Sequence, residues 1–396
     1  MVDMSLRNKH ILIIGGTGFI GSRLTEKLIL EHQSQVTIMS RDFRRASSVA
    51  RYPVELMRGD IGCFDDVLAA VAGKDIVVDC TYPACGDAKE RMRQGTVYAK
   101  NLAQAALKTG VRRVVHVSSA SVYGKPQDGT LNEKVACKPS GDPYGDGKLA
   151  AEKYLLKAHR EHRLPVVVVQ PTIIYGPFAG WTMGPLSDLK SGVVALPNNG
   201  KGLCNAVYVD DVVDSLLLAA AGTGMEGERL LISGPEIGTW GQFYEALIAI
   251  SGDGELKLMS DEEMAAEFRR REREAKPHNQ LLREFRTNAG LRQMILGLPV
   301  LAQFYRIMRS ALSEDTVGGL KQRVLGSTAG DGGTNNGKGI SAKPLLLPRK
   351  DHVPLLSARS EVRIDKAKQL LGYQPRFDLN RGMRYTGLWA KWANLC

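Results

Sequence analysis

Short runs of consecutive aliphatic residues alternate along the first half of the chain with longer stretches whose pattern is typical of helices. The runs are HILIIG, QVTIMS, VELMRGD, DIVVDC, RRVVHVSS and PVVVVQP, and the stretches between them cover residues 18–32, 43–50, 64–72, 87–109 and 144–163. Strands that are buried on both faces read as continuous Val and Ile runs, and helices between them indicate parallel pairing. The pattern therefore predicts an α/β fold with a doubly wound parallel sheet.

This alternation stops after Gly176, where Pro- and Gly-rich loops begin. We expect residues 1–176 to form the sheet domain and residues 205–235 to return to it. Residues 177–204 and 236–396 are expected to form a smaller C-terminal lobe that completes a cleft for a substrate.

An insertion in this lobe is predicted over residues 255–345. It contains a mixed-charge helix at 261–276, DEEMAAEFRRREREAK, and a Gly/Asn-rich segment at 327–341 that we expect to be a flexible loop. The uncharged run 164–187 is interrupted by prolines and glycines, so strand and loop are expected there rather than a membrane helix. The insertion is expected to form either a lid over the cleft or a pad on a membrane surface.

The composition limits the class of protein without choosing a ligand. The chain has 396 residues, is 43% hydrophobic and carries a formal net charge of +11, which excludes a disordered or collagenous chain. That positive charge would suit a phosphate-bearing cofactor, nucleic acid or a membrane surface. Six scattered cysteines form no CxxC pair, and the first strand begins too early for a signal peptide. We therefore expect a cytoplasmic protein with reduced thiols and no metal site.

A glycine-rich turn joins the first predicted strand to the first predicted helix. Its sequence, GGTGFIG, contains both the GxxGxxG and the GxGxxG spacing. Glycines there allow the backbone to approach a pyrophosphate and direct the N–H groups of the helix towards it. The turn predicts a dinucleotide site, and the residues assigned to it are Gly15, Gly18, Phe19, Ile20 and Gly21.

The end of the second predicted strand bears on which dinucleotide binds. An acidic residue there would bind the ribose 2′-hydroxyl of NAD, but this chain has Ser40 and Arg41, with Arg45 close behind. Arginine can bind a 2′-phosphate, so NADP(H) is favoured and NAD(H) stays possible; the alternative is that these arginines lie on a surface helix. Asp60 and Ile61 follow the third strand, where the aspartate would meet the adenine or cap the next helix.

Three residue types needed for hydride-transfer chemistry follow the fifth strand. The segment SSASVYG ends that strand, and Tyr144 and Lys148 begin the next helix four positions apart, on one face. The lysine would hold the nicotinamide ribose and lower the pKa of the tyrosine, which would exchange a proton with a secondary alcohol or ketone. A strand-end serine would hold the same oxygen. These residues predict an NAD(P)-dependent oxidoreductase.

Taken together, these motifs resemble the extended short-chain dehydrogenases/reductases, specifically the NAD-dependent epimerase/dehydratase family. The resemblance covers residues 9 to about 250 and returns at about 357–392, where DKAKQLLGYQP is similar to a C-terminal motif of the family. It implies that Ser119, rather than either nearby serine, acts with Tyr144. It also implies that the QPTIIYGP segment places Pro171 and Thr172 beside the nicotinamide, and that the protein forms a homodimer through the helices at 87–109 and 144–160.

Departures from the family pattern bear on the substrate. Ala120 and Ser121 stand where the dehydratases of this family carry Asp-Glu, so elimination of water is not expected. The epimerases have an Asn near Ile173 and an Arg near Cys204, and both are missing here. QPTIIYGP is equally similar to the 3β-hydroxysteroid dehydrogenase-like branch. The residues expected to contact a substrate are Pro83, Ser119, Tyr144 and Asn205.

Three hypotheses therefore remain open. The first is an epimerase/dehydratase-type enzyme that acts on a nucleotide sugar. The second is an NADP(H)-dependent reductase or dehydrogenase of an apolar alcohol or ketone. The third is a non-catalytic dinucleotide-binding or RNA-associated protein, which the Ser-Tyr-Lys set disfavours, so nucleic acid is not expected as a partner. His116, inside an aliphatic strand, is interpreted as a core histidine.

Overall fold

A computed structural model describes residues 6–83, 86–275 and 343–395. The chain divides into two units, residues 1–259 with 343–396 and residues 260–342. Most of the predicted insertion and all of the predicted loop at 327–341 lie outside the described residues. Within the described part of the chain, no helix is both long enough and apolar enough to span a bilayer.

The strands of the first unit are β1 His10–Ile14, β2 Gln35–Ser40, β3 Glu55–Arg58, β4 Ile76–Asp79, β5 Arg113–Val117, β6 Gly129–Leu131, β7 Val166–Pro171, β8 Ile173–Tyr175, β9 Val193–Leu196, β10 Leu203–Cys204, β11 Ala206–Tyr208, β12 Arg229–Ile232, β13 Gly238–Thr239, β14 Glu255–Leu258, β15 Leu345–Leu346 and β16 Ser360–Val362.

The α-helices are α1 Phe19–Leu30, α2 Phe64–Val71, α3 Ala88–Thr109, α4 Pro143–His162, α5 Gly180–Ser191, α6 Val209–Ala221, α7 Trp240–Ser251, α8 Asp261–Glu274, α9 Val353–Ser357, α10 Asp365–Leu371 and α11 Leu379–Trp392. Single 3₁₀ turns cover Phe43–Ser48, Ala120–Tyr123 and Asn198–Gly200.

Seven of these strands form one parallel sheet in the order β3-β2-β1-β4-β5-β7-β12. The predicted doubly wound α/β fold is therefore confirmed. The direction in which strands are added reverses between β1 and β4, so the helices that follow these two strands cover opposite faces. In such sheets the carboxyl ends of the strands at this point border the ligand crevice.

The sheet separates two apolar cores because alternate residues of a strand point to opposite faces. In β1, Ile11 and Ile13 belong to one core and Leu12 and Ile14 to the other. The first core also contains buried residues of α1, α6 and α7, and the second contains residues of α2, α3 and α4. Nearly continuous burial of β1, β4, β5 and β7 explains why these strands read as unbroken aliphatic runs.

Small sheets attach the lobe and the C-terminal segment to this domain. β8 pairs with β11, β10 with β13, and β9 with both β14 and β15. β16, from the C-terminal segment, pairs with β6. Helices α10 and α11 lie on either side of the Gly-Tyr-Gln-Pro segment at residues 372–375, within the DKAKQLLGYQP motif and after it.

The described part of the second unit is helix α8, which matches the predicted mixed-charge helix. Ser260 starts it with a capping box, in which its side chain and that of Glu263 each accept from the other residue's backbone N–H. Arg270 pairs with Glu267 and Glu274 one turn away on either side. Local charge pairing of this kind stabilises an exposed helix by itself.

Candidate active site

The glycine turn between β1 and α1 has a backbone that other residues could not adopt. Gly15 has a φ of +84°, and a Cβ on Gly21 would lie 2.3 Å from the Gly15 carbonyl oxygen. Gly18 precedes α1 without a side-chain cap, and the first turn of this helix contains no acidic residue. Its N–H groups can therefore bind an anion, and the turn fits the pyrophosphate of a dinucleotide.

The remaining predicted residues of this turn support the helix. Phe19 and Ile20 are the first two residues of α1, and both are half-buried against the first core. A Cβ on Gly15 would meet the carbonyl group of Cys80 at 3.0 Å, so the turn packs closely against the chain after β4. The two strand ends at the reversal point are thus held together by backbone contact.

The residues expected to determine whether NAD(H) or NADP(H) binds lie at the carboxyl ends of β2 and β3. Ser40 Oγ donates to the Asp42 carbonyl at 3.2 Å, and Arg45 is exposed on the following 3₁₀ turn. Arg44 is occupied, because its guanidinium is within 3.1 Å of both carboxylate oxygens of Asp42. Arg41 is 63% exposed and makes only a long contact of 3.9 Å with Asp60. Arg41 and Arg45 are therefore better placed than Arg44 to bind a ligand.

Asp60 also has a structural role. Its carboxylate accepts from the backbone N–H of Gly62 at 2.8 Å and closes a turn. The alternative that Asp60 caps the next helix is wrong, because the residue at the N-cap of α2 is Cys63. Ile61 is buried, and its carbonyl accepts from the Asn101 side chain at 2.9 Å. Both residues therefore shape the loop, and their contact with a cofactor stays a prediction.

The two serines at the end of β5 have different partners. Ser118 is 2% exposed and donates to the carboxylate of Glu152 at 2.8 Å. Ser119 caps the following 3₁₀ turn, and its Oγ accepts from the Ser121 hydroxyl at 3.0 Å and from the Ser121 N–H at 3.2 Å. Its interaction with the Tyr144 hydroxyl lowers the pKa of that tyrosine against the effect of burial. Ser119 is therefore the serine that meets Tyr144.

Helix α4 brings Tyr144 to this serine. Asp142 caps the helix by accepting from the N–H groups of Tyr144 and Gly145, and Pro143 occupies its first position. A Cβ on Gly145 would lie 2.9 Å from the Ser121 carbonyl, so this glycine allows α4 to approach the serine turn. Tyr144 is 38% exposed, and its ring contacts the Tyr82 ring edge-on, with 4.7 Å between the ring centroids.

Lys148, one turn further along α4, is 5% exposed. Its ammonium donates to the carbonyls of Thr81 and Val117, both at 2.7 Å, which leaves one N–H for a bound ligand. Burial lowers the pKa of Lys148 and raises the pKa of Tyr144. The Lys148 ammonium is directed to carbonyls here, so the shift of Tyr144 comes from desolvation of the phenol, and the lowering effect expected of the lysine stays a prediction.

A buried acid–base pair lies beside Lys148. Asp79 ends β4, is 2% exposed, and its carboxylate lies 2.8 Å from Nδ1 of His116, its register partner on β5. The other carboxylate oxygen accepts from the N–H and hydroxyl of Thr81 at 2.9 and 2.6 Å. His116 is buried as predicted, but its Nε2 has no partner among the described residues. Sequence reasoning missed Asp79, although an acidic residue ending the run IVVD was a visible signal.

The other predicted contact residues have mixed outcomes. Pro171 ends β7, and the next residue, Thr172, donates its hydroxyl to Ser233 Oγ at 3.1 Å. Pro83 is buried and lines the same small cavity as Lys148. The side-chain amide of Asn205 forms two hydrogen bonds with β16: it donates to the Ser360 carbonyl at 2.8 Å and accepts from the Val362 N–H at 3.0 Å. These bonds give Asn205 a structural role and do not support a substrate contact.

Comparison with known proteins identifies the family. The family model for the NAD dependent epimerase/dehydratase family matches residues 11–232, which is more than half of the chain. The chain belongs to this family. It is thus an NAD(P)-dependent enzyme of the extended short-chain dehydrogenase/reductase type, and the resemblance seen in its motifs is confirmed.

Relatives of this chain are named for different activities. A UDP-glucose 4-epimerase of Vibrio cholerae is 28% identical over 61% of this chain and 76% of its own length. A bovine sterol-4-alpha-carboxylate 3-dehydrogenase, decarboxylating, is also 28% identical, over 54% of this chain and 60% of its own length. The chain thus spans less than two thirds of the bovine relative.

A solved structure supports the fold described above. The UDP-glucuronic acid 4-epimerase from Bacillus cereus in complex with NAD superposes with a TM-score of 0.64, covering 97% of this chain and 99% of that one. The two sequences are 18% identical. At this identity the likeness shows a shared fold and leaves the substrate open.

Proposed function

We propose that this protein moves a hydride between a nicotinamide cofactor and the carbon of a secondary alcohol or ketone, with Tyr144 as the acid and base. The observation that carries this proposal is the grouping of Ser119, Tyr144 and Lys148 at the carboxyl edge of β5. The glycine turn follows β1 at the same edge of the sheet.

The protein's own residues would move the proton. The bound dinucleotide supplies or accepts the hydride. When a ketone is reduced, Tyr144 donates its proton to the oxygen as the carbon gains the hydride, and in the oxidising direction Tyr144 takes that proton back. The raised pKa of Tyr144 keeps it protonated at neutral pH, which suits the donor role. The Ser119 hydroxyl would hold the substrate oxygen, and the free N–H of Lys148 would hold the ribose.

The substrate class that we propose is a nucleotide sugar. Its support is the family itself and the relatives named for UDP-glucose and UDP-glucuronic acid. Transient oxidation of a ring hydroxyl, followed by return of the hydride to the opposite face of the ketone, would make the reaction an epimerisation. Water elimination is not proposed, because Ala120 and Ser121 supply neither an acid nor a base.

A second candidate is oxidation or reduction of an apolar alcohol, including one of 3β-hydroxysteroid type. Cys204 stands near the place of a diphosphate-binding arginine, and it is 2% exposed, with the pKa of its thiol raised by burial. It lines a cleft of about 440 Å³ together with Tyr175 and Phe243. The charged residues among its described lining are Glu236 and Glu245, which cannot bind a diphosphate, and this and the sterol dehydrogenase relative support the second candidate.

The test is a comparison of substrates with the purified full-length chain. UDP-glucose, UDP-glucuronic acid and a 3β-hydroxysterol would each be incubated with NAD⁺ and NADP⁺, with products separated by chromatography and reduced nicotinamide followed by absorbance. A UDP-sugar epimer without net cofactor reduction supports the first candidate, and a sterol ketone with stoichiometric NAD(P)H supports the second. Equal turnover by the Tyr144→Phe variant would contradict both.

The cofactor preference and the oligomeric state are also proposals. We propose NADP(H) over NAD(H) because Arg41 is exposed at the end of β2, and mass analysis of the dinucleotide released on denaturation would identify the bound form. We propose a homodimer through α3 and α4. The exposed Met92 and Leu107 of α3 support an apolar contact there. Light scattering that showed a monomer at micromolar concentration would contradict the dimer.

A further inference from the structure

We propose that Asp79 is a positioning residue that keeps Lys148 both charged and correctly placed for the bound dinucleotide, with His116 holding the carboxylate in place. This inference rests on the proposed function, because it takes Lys148 to be the residue that contacts the cofactor. It concerns groups that neither the glycine turn nor the Ser-Tyr-Lys set requires.

The first step is the link between Asp79 and one of the two carbonyls that bind Lys148. Thr81 gives its N–H and its hydroxyl to Asp79, and its carbonyl accepts from the Lys148 ammonium at 2.7 Å. Three hydrogen bonds therefore connect the carboxylate to the ammonium through one residue. This arrangement fixes the Thr81 peptide group and with it one of the directions in which Nζ can point.

The second step concerns charge. A buried ammonium loses its hydration, and the two carbonyls at Thr81 and Val117 supply dipoles but no negative charge. Burial lowers the pKa of Lys148, and the charge of Asp79 opposes that shift. Although burial by itself would raise the pKa of Asp79, the hydrogen bond with His116 and the charges of His116 and Lys148 lower it. Asp79 is therefore ionised at neutral pH.

The third step is the identity of the other groups around Lys148. Cys80 faces it from the chain after β4, but burial raises the pKa of that thiol to about 12, so it carries no charge at neutral pH. Tyr98 from α3 and His116 from β5 line the same cavity of about 10 Å³ as Asp79 and Lys148. Among the described residues that face Lys148, Asp79 is thus the one that supplies a negative charge at neutral pH.

The fourth step is the role of His116. Its Nδ1 contacts one carboxylate oxygen of Asp79, while Thr81 occupies the other. Three protein donors thus hold the two carboxylate oxygens, at least one on each oxygen, which restrains rotation of the carboxylate. The unpartnered Nε2 shows that the imidazole is held here for its contact with Asp79 and not by a saturated network of its own.

The experiment compares the pH dependence of NAD⁺ and NADP⁺ binding, measured by titration calorimetry, in the wild type and in Asp79→Asn. The amide keeps the shape of the carboxylate but removes its charge. In the wild type, dinucleotide affinity should be lost above a limiting pH at which Lys148 loses its charge. We expect Asp79→Asn to lower this limiting pH by about one unit, because a nearby opposite charge shifts the pKa of a buried group by about that amount or more. Above the new limit, the variant should bind about tenfold more weakly than the wild type.

Two further variants separate positioning from general damage. Glu152 is an equally buried carboxylate on α4, the helix that carries Lys148, and it accepts from Ser118 and Gln170. The Glu152→Gln variant removes this charge and should leave the pH limit of binding unchanged. In Asp79→Asn combined with Lys148→Arg, the alkaline limit should disappear, because a guanidinium keeps its charge. A shift that persisted in the double variant would overturn the proposal.

The remaining outcomes are also decisive. If the wild type binds neither dinucleotide, the proposed function fails; if it binds one and Asp79→Asn binds with the same pH profile, this inference alone fails. Should Asp79→Asn not fold, Thr81→Val removes the hydroxyl donor from Asp79 while keeping the charge. It should weaken dinucleotide binding about threefold without moving the pH limit, and unchanged affinity would contradict the positioning role.

Discussion

Two buried carboxylates lie near the ends of neighbouring strands, and they differ in how completely their surroundings bind them. Glu152 on α4 accepts from Ser118 and from Gln170, and the amide oxygen of Gln170 accepts from the Tyr123 hydroxyl at 2.8 Å. Arg229 adds a positive charge at 3.8 Å from the carboxylate. The hydrogen bonds given for Ser118, Glu152, Gln170 and Tyr123 all stay within the protein, and they connect α4 and β7 with the chain that follows β5.

The Asp79 cluster is different. There, Nε2 of His116 lacks a partner and the Lys148 ammonium holds two carbonyls with one N–H to spare. Saturated polar networks fix packing, whereas buried groups with unused hydrogen-bonding capacity require a separate explanation. This contrast supports a structural role for the Glu152 network and the binding and catalytic roles that we propose for the groups around Asp79 and Lys148. The following predictions test that division.

The largest expected effect is on catalysis. Tyr144→Phe should lower turnover of any accepted substrate by about 10²–10⁴-fold, because it removes the proton donor. Dinucleotide affinity should stay within about threefold of the wild type, since the Tyr144 hydroxyl is not part of the glycine turn or the Lys148 contacts. Steady-state kinetics and calorimetry measure the two quantities. Retained turnover would exclude Tyr144 as the acid.

The adjacent serines give a matched pair. Ser119→Ala should lower turnover by about 10²-fold with unchanged stability, because it removes a donor to the reacting oxygen. Ser118→Ala should lower the free energy of unfolding by about 1–2 kcal/mol and leave turnover per folded molecule unchanged, because Glu152 loses a donor. Denaturant titration and kinetics on both variants would decide; the reverse result would exchange their roles.

Removing the carboxylate of the structural network should affect stability. Glu152→Ala should lower the free energy of unfolding by about 3 kcal/mol, since it leaves Ser118, Gln170 and the nearby Arg229 without their acceptor. Urea denaturation measures this. If the variant were fully stable but inactive, the assignment of Glu152 to a structural role would be wrong.

The cofactor preference should respond to one arginine and not to its neighbour. Arg41→Ala should weaken NADPH binding about tenfold and leave NADH binding unchanged, because the exposed guanidinium would lose its contact with a 2′-phosphate. Arg44→Ala is the matched control, since that side chain is already paired with Asp42. Equal effects of both substitutions, measured by fluorescence titration, would contradict a specific site.

A smaller effect concerns acid stability. The pKa of Asp79 is lower in the folded protein than its ordinary value, so ionised Asp79 stabilises the fold above the ordinary pKa, and this contribution is lost as the pH falls through the folded-state pKa. Asp79→Asn should therefore show a shallower loss of stability on acidification than the wild type. Thermal unfolding across acidic pH would test it, and parallel curves would show that Asp79 is not coupled to folding.

Much of the fold and the site followed from local sequence. The aliphatic runs predicted each of the first five strands and the strand 166–171, and the helices at 87–109 and 144–163 agree with α3 and α4 to within about one residue. Glycines at 15, 18 and 21 indicated the turn because backbone sterics there depend on the glycines themselves. The four-residue spacing of Tyr144 and Lys148 is likewise a local property of one helix.

Other features depended on contacts between distant segments. Asn205 looked available in a loop, yet its amide binds β16, which lies about 155 residues further along the chain. Burial of the Tyr144 hydroxyl, which no local pattern reports, raises the pKa of Tyr144 against the lowering effect of the hydrogen bond with Ser119. The meeting of Asp79, His116 and Lys148 required three separate elements to pack together.

The sequence by itself determined the class of fold, the family, the glycine turn and the helical pair, because these properties depend on periodicity, backbone freedom and short-range spacing. Only the tertiary structure decided that Ser119 faces Tyr144 while Ser118 is bound to Glu152, and that Asp79 supports Lys148. The physical reason is that hydrogen bonding and desolvation act between groups that are close in space, whatever their separation along the chain.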